Sequence, residues 1–138
     1  MTDPDAARAR DAMVSDPLAL EVDASAQEAG EALTRPEVRA VLVCEAGRLV
    51  GVITRKTLVR EVVAPGRDPR TTRLREIAEE PIATIDSEMP LGAAFALLEE
   101  RDLERVPVVE DGKLVGVLSR AGVRRRLAED EPPPEPEE

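Results

Sequence analysis

Apolar positions along the chain come in short runs separated by turn signals. Leu18–Val22 is a short apolar stretch that reads as a strand. Ser25-Ala-Gln-Glu28 has the form of a capping box, in which the serine hydroxyl and the glutamate satisfy each other's backbone N–H groups. It opens a helix that the pattern carries to about Thr34. Ala40–Cys44 is an apolar strand and Glu45-Ala-Gly47 a hairpin turn, with Gly47 free to take positive φ. Arg48–Thr54 predicts the returning strand and Arg55–Val63 a second helix. The same order recurs further on, with strands at Ile82–Ile85, Arg105–Val109 and Lys113–Ser119. The matching helices are Pro90–Arg101 and Arg120–Glu129, and Pro90 suits a first helical turn.

The recurrence is a repeat in residues as well as in pattern. Residues 26–58 lie over 91–123 at a constant offset of 65, without a gap over 33 positions. Ala29 meets Ala94, Leu33 meets Leu98, and Val41 and Val43 meet Val106 and Val108. Leu49-Val-Gly-Val52 meets Leu114-Val-Gly-Val117, and Arg55 meets Arg120. Two β-α-β-β-α copies are too few for a solenoid and predict two similar packed units. The expected divisions are a flexible 1–8, a first copy over 9–63, a turn-rich linker over 64–73 and a second copy over 74–128. Residues 9–14 and 74–78 are short helical turns, each expected to lead into the copy that follows it. Met13 and Ile77 are expected to plug equivalent core positions.

Composition narrows the chemistry. There is no His, Trp or Tyr, and there is a single Cys and a single Phe among 138 residues. An internal disulfide, a Cys-based zinc cluster and a His-based triad are all excluded. Cys44 reads as a small buried hydrophobe. The pairs Glu79–Glu80 and Glu99–Glu100 read as solvated faces. The formal charge is −10, and residues 129–138 hold six acids and no base. That leaves 19 bases against 23 acids over residues 1–128. The Pro-rich acidic 129–138 segment reads as disordered. The balance argues against nucleic acid and anionic membranes as partners. No apolar run approaches the length of a membrane span. The Arg124-Arg-Arg126 run reads as a solvated helix end. Arg outnumbers Lys 17 to 2, a bias that suggests a GC-rich bacterial source. The polar N-terminus and lone Cys suggest the cytoplasm.

These residues carry a resemblance. The run Gly47-Arg-Leu-Val-Gly-Val-Ile-Thr54 and its counterpart Gly112-Lys-Leu-Val-Gly-Val-Leu-Ser119 resemble the cystathionine-β-synthase (CBS) domain pair. Met13…Pro17, Val41-Leu-Val43, Pro81 and Val106-Pro-Val-Val109 fit the same frame, over roughly residues 9–128. The resemblance implies an α+β or α/β fold of tandem repeats packed as one pseudo-symmetric module. It further implies a regulatory role, with AMP, ADP, ATP or S-adenosylmethionine as possible ligands in clefts between the copies. No catalytic residue, required cofactor or metal is implied. A homodimer is expected, formed through the Ala- and Leu-rich stretches 26–33 and 91–98, together with a regulated partner protein.

The family motif after the third strand is Gly-h-x-(Thr/Ser)-x-x-(Asp/Asn), in which h is an apolar residue. Its Thr or Ser approaches phosphate and its Asp holds the ribose. Thr54 and Ser119 match, and both equally suit plain helix N-caps. The ribose Asp is replaced by Thr57 and Gly122. A hydrogen bond to a charged group is worth about 1.5–3 kcal/mol, so the loss weakens a ribose site by roughly one to two decades. Thr57 keeps a hydroxyl, which makes the Thr54–Thr57 site the better candidate. Arg55 and Arg120 follow the motif hydroxyl, Arg39 lies just before the second strand of copy one and Arg105 at the matching edge of copy two; all four are candidate phosphate ligands, the alternative for each being a surface arginine paired with a nearby glutamate. The alternative is a ligand-free interaction or dimerisation scaffold, which the two missing Asp residues favour.

Overall fold

The structure is a computed structural model, and it describes residues 7–15 and 17–129. Residues 1–6 and most of the acidic segment, 130–138, lie outside the described residues. Helix α1 is Ala9–Ala12, β1 Ala19–Glu21, α2 Ala26–Ala32, β2 Val41–Glu45 and β3 Arg48–Ile53. Helix α3, Arg55–Leu58, continues as a π-helical stretch, Val59–Val63, and α4 is Leu74–Ile77. Then come β4 Ile85–Asp86, α5 Leu91–Glu100, β5 Arg105–Glu110, β6 Lys113–Ser119 and α6 Arg120–Glu129. Glu129, counted from the sequence both as the end of a helix and as the start of the acidic segment, is the last residue of α6.

The described residues form two compact units. The first is Pro17–Ile82 together with Asp111–Leu114. In it β1 runs parallel to β2 with Leu20 opposite Val43, the arrangement that a crossover helix such as α2 permits. Strand β3 returns antiparallel beside β2. The turn between them holds only Ala46 and Gly47, at φ 51° and 83°, the mirror-image geometry that suits the twist of a hairpin. Ser25 caps α2 through the Glu28 N–H, and the Glu28 carboxylate accepts from the Ser25 N–H at 3.1 Å. Pro36 follows, and α2 ends at Ala32 with Leu33 as its C-cap rather than at Thr34. Ala26, Ala29, Leu33, Val41, Val43, Ile53, Leu74 and Ile77 are buried together as its core.

The second unit repeats this plan. Strand β4 runs parallel to β5, Ile85 opposite Val108. It is shorter than the sequence suggests: Ile82 is 76% exposed, and of that stretch Ile85 alone is fully buried, with Ala83 packed at the edge of the core. Ile85, Leu91, Ala94, Leu98, Val106, Val108, Leu118 and Val123 form its core. In each unit the regular Ala and Leu positions of the long helix are therefore spent on the unit's own core. The faces of stretches 26–33 and 91–98 that remain exposed carry Gln27, Glu28, Glu31, Gly92, Ala93 and Ala96.

The short helices are exchanged relative to expectation. Helix α4 packs Leu74 and Ile77 into the core of the preceding copy, and α1 packs Ala9 into the core built from the second. The 65-residue offset extends through them, from Arg8–Val14 to Arg73–Glu79. Val14 and Val117 exchange backbone hydrogen bonds at 2.8 and 3.0 Å, as Glu79 and Val52 do. This explains the repeated glycine. A Cβ on Gly51 would lie 2.7 Å from the Ala78 Cβ, and one on Gly116 would lie 2.6 Å from the Met13 Sδ. Glycine is what lets the exchanged segment cross the strand so closely. In this register Ile77 matches Ala12 and Met13 matches Ala78, so Met13 and Ile77 do not fill equivalent positions. Ile77 is buried, whereas Met13 is packed on the edge of its core.

Candidate functional site

The chemistry-bearing residues gather at equivalent places in the two units, and each place is built differently. In the copy-one unit, β3 delivers Thr54 to the start of α3. Its Oγ1 accepts from the Thr57 N–H at 3.3 Å, and the Thr57 Oγ1 accepts from the Thr54 N–H at 3.1 Å. Thr57 is fully buried. Its hydroxyl donates to Glu79 Oε2 at 2.7 Å, so Thr54 is the donor in the 3.0 Å contact between the two hydroxyls. The other Glu79 oxygen pairs with Arg60, one turn along from Thr57. The Thr57 hydroxyl and the Arg60 guanidinium together hold the Glu79 carboxyl below its ordinary range. Every polar atom that sequence reasoning offered to a ribose here already has a partner. Arg55 donates to the Arg35 carbonyl at 2.9 Å.

In the copy-two unit the same positions are open. Ser119 Oγ accepts from the Gly122 N–H at 2.9 Å and caps α6. Gly122 replaces Thr57, Val14 replaces Glu79, and Arg125 replaces Arg60. Ala12, Val14, Ser119, Gly122, Arg125, Arg126 and Glu129 line a cleft of about 270 Å³. Arg120 does not face it as a free ligand. Its guanidinium pairs with Asp102 at 3.2 Å and with Glu104, which hold its pKa up. Arg39 and Arg105 are exposed, and neither lines this cleft or joins the Thr57 cluster. A larger groove of about 500 Å³ runs between α2 and residues 58–69, but its walls are mainly Ala26, Gly30, Leu58, Val62 and Val63. It lacks the convergent polar groups that orient a ligand.

Sequence reasoning missed Glu79, Arg60, Arg125 and Arg126, treating the first as a solvated face and the last two as a helix end. Carrying the 65-residue offset upstream to Val14 and Glu79 is the signal that finds them. Cys44 is buried in β2, and burial together with the Glu21 charge pushes its thiol up, away from the reactive thiolate. Among the described residues no group of three or more acidic or sulfur ligands is placed to hold a metal ion. No helix among them is long and apolar enough to cross a membrane.

The model of the CBS domain matches residues 9–64 and 74–129. The chain belongs to the CBS-domain family. This CBS-domain pair is a regulatory module by family. An uncharacterized protein of Methanopyrus kandleri, MK0525, is 34% identical over 80 residues, which are 57% of this chain and 41% of that protein. Hypoxic response protein 1 of Mycobacterium tuberculosis is 29% identical over 102 residues, covering 73% of this chain and 71% of the relative. The crystal structure of Hypoxic Response Protein I with two coordinated zinc ions superposes at a TM-score of 0.74 and 27% identity. It covers 88% of this CBS pair and 99% of that chain. The crystal structure of CBSX2 in complex with AMP superposes at a TM-score of 0.70 and 23% identity, covering 88% and 96%.

Proposed function

We propose that this CBS-domain pair is a sensor of a phosphate-bearing adenine nucleotide and passes the signal to a partner protein. The cleft of the copy-two unit is where it binds. The observation that carries this reading is the contrast between the two equivalent places. One has its Thr57 hydroxyl and Arg60 guanidinium taken up by Glu79, whereas the other presents Ser119 and Arg125 beside open space. Guanidinium groups grip phosphate oxygens with paired, charge-assisted bonds. Gly122 contributes no carboxylate to the ribose, so the phosphates supply most of the affinity. The fold is shared with a protein crystallised with AMP, which supports a nucleotide as the ligand. Binding matters to a partner only if it favours one conformation over another. A homodimer and a cytoplasmic location complete the reading.

The test is thermal melting with AMP, ADP, ATP and S-adenosylmethionine. Ligand at 100 times its dissociation constant adds about 2.7 kcal/mol of stability, a shift of several degrees. The shift is expected to disappear in Arg125→Ala, which removes a cleft cation without touching a helix cap. With no Trp or Tyr in the chain, co-purified nucleotide is visible directly in the ultraviolet spectrum. A second reading, a partner-binding scaffold without a ligand, is favoured by the absence of a ribose carboxylate in both copies. It is the account that survives if millimolar ligand leaves the melting curve unmoved.

A further inference from the structure

We infer that Glu79 is a built-in ligand, a carboxylate of the chain's own that occupies in copy one the place an anionic ligand takes in copy two. The inference rests on the nucleotide-sensing reading of the open cleft. The 65-residue register places Ile77, Glu79, Thr54, Thr57 and Arg60 on Ala12, Val14, Ser119, Gly122 and Arg125. The second set lines the open cleft. The first is the cluster in which one Glu79 oxygen accepts from the Thr57 hydroxyl at 2.7 Å and the other pairs with Arg60.

The carboxylate is held in place by its own backbone. The Glu79 N–H donates to the Val52 carbonyl at 3.0 Å, and its carbonyl accepts from the Val52 N–H at 2.8 Å. Val14 makes the same pair of bonds to Val117, so the backbone frame is shared. Only the side chain differs, anionic on one side and apolar on the other. A hydroxyl and a guanidinium converging on a carboxylate form the contact set that a phosphate would seek. Glu79 satisfies it permanently and at no cost in association entropy. The chain therefore carries one open nucleotide cleft and one that is self-occupied. Its response is a single-site curve, without the cooperativity that two linked sites would allow.

The experiment is calorimetric titration of the full chain with AMP, comparing wild type, Arg125→Ala, Glu79→Ala, and Glu79→Ala combined with Arg125→Ala. Far-ultraviolet circular dichroism monitors folding. Removing the carboxylate is expected to add one AMP per chain, and that added site survives Arg125→Ala. If Glu79→Ala does not fold, Glu79→Val, which carries the side chain of the equivalent Val14 and vacates the Thr57 hydroxyl, is judged by the same count. An unchanged AMP count overturns the built-in ligand, while wild-type binding abolished by Arg125→Ala upholds the open cleft. Wild type that binds nothing while Glu79→Ala binds one AMP overturns the open cleft and leaves the built-in ligand standing. No binding by either protein overturns both.

Discussion

Gly51→Ala adds a single carbon at the crossing of β3 and the segment after α4. The new Cβ would stand 2.7 Å from the Ala78 Cβ and 3.1 Å from the Glu79 carbonyl oxygen. Carbon atoms in contact prefer about 3.5–4.0 Å, so the two strips must separate by close to an ångström. They cannot do so freely, because Val52 and Glu79 are tied by two backbone hydrogen bonds directly beside the clash. Overpacking of this kind costs about 1–3 kcal/mol. At roughly 3 °C per kcal/mol for a chain of this size, the Tm falls by about 3–9 °C. Gly92→Ala is the control. A Cβ there meets nothing within 4 Å, and Gly92 lies near the start of α5. It should raise stability by up to about 1 kcal/mol through helix propensity. Differential scanning calorimetry of the two variants gives shifts of opposite sign. Adding Ala78→Gly to Gly51→Ala should recover part of the loss, since the nearer of the two obstructions is gone. A Gly51→Ala protein that melts at or above wild type refutes the close-crossing account of the repeated glycine.

Other substitutions probe other links. Ala46 sits at φ 51° where copy two has Asp111 at 53°. Left-handed backbone costs an alanine about 1 kcal/mol, so Ala46→Asn should raise the urea midpoint while leaving the m-value unchanged. Thr54→Ala removes a cap and should cost about 0.5–2 kcal/mol with no ligand present. The loss is read in apo melts, and equal melts for the two proteins would contradict the capping geometry. Asp68, Glu76 and Glu79 all titrate below their ordinary range, through hydrogen bonds from Arg70, Arg73 and Thr57 respectively. Their folded pKa values lie below the unfolded ones. Their contribution is therefore complete above the ordinary carboxylate range and is lost as the pH falls through the folded values. Melts should be flat across neutral pH and drop in acid, with a shallower acid slope in Glu79→Gln. Cys44 should react with a thiol reagent at neutral pH only as fast as the protein unfolds, and fast reaction of the folded protein would show that β2 is not closed over it.

What the sequence made legible was whatever its local signals determine. The bounds of β6 and α6 follow from an unbroken apolar run ending at Ser119, whose hydroxyl caps what comes next. The hairpins follow from Gly47 and Gly112. The exchange of α1 and α4 was not legible, because four-residue helices carry too little periodicity to name a partner. It shows only in the glycines at 51 and 116, whose need for space is a tertiary fact. The π-helical stretch Val59–Val63 reads as ordinary helix for the same reason. At the candidate site, Thr57 stands where the family motif has a carboxylate. Its partner Glu79 lies 22 residues away, past a linker, and by composition looks like any surface acid. The hydroxyl counted as free for a ribose is thus taken by a contact that no local pattern announces.

The exchange of short helices also sets an order of events during synthesis. Pro17–Ile82 is one continuous stretch and supplies nearly all of its unit. The segment before it belongs to the other unit, where Val14 bonds to Val117, about 100 residues further on. At roughly 5–20 residues per second, that strip waits some 5–20 s on the ribosome for its partner strand. All through that interval Ala9 and Met13 have no core to enter. The segment that opens the first copy is thereby among the last to find its place.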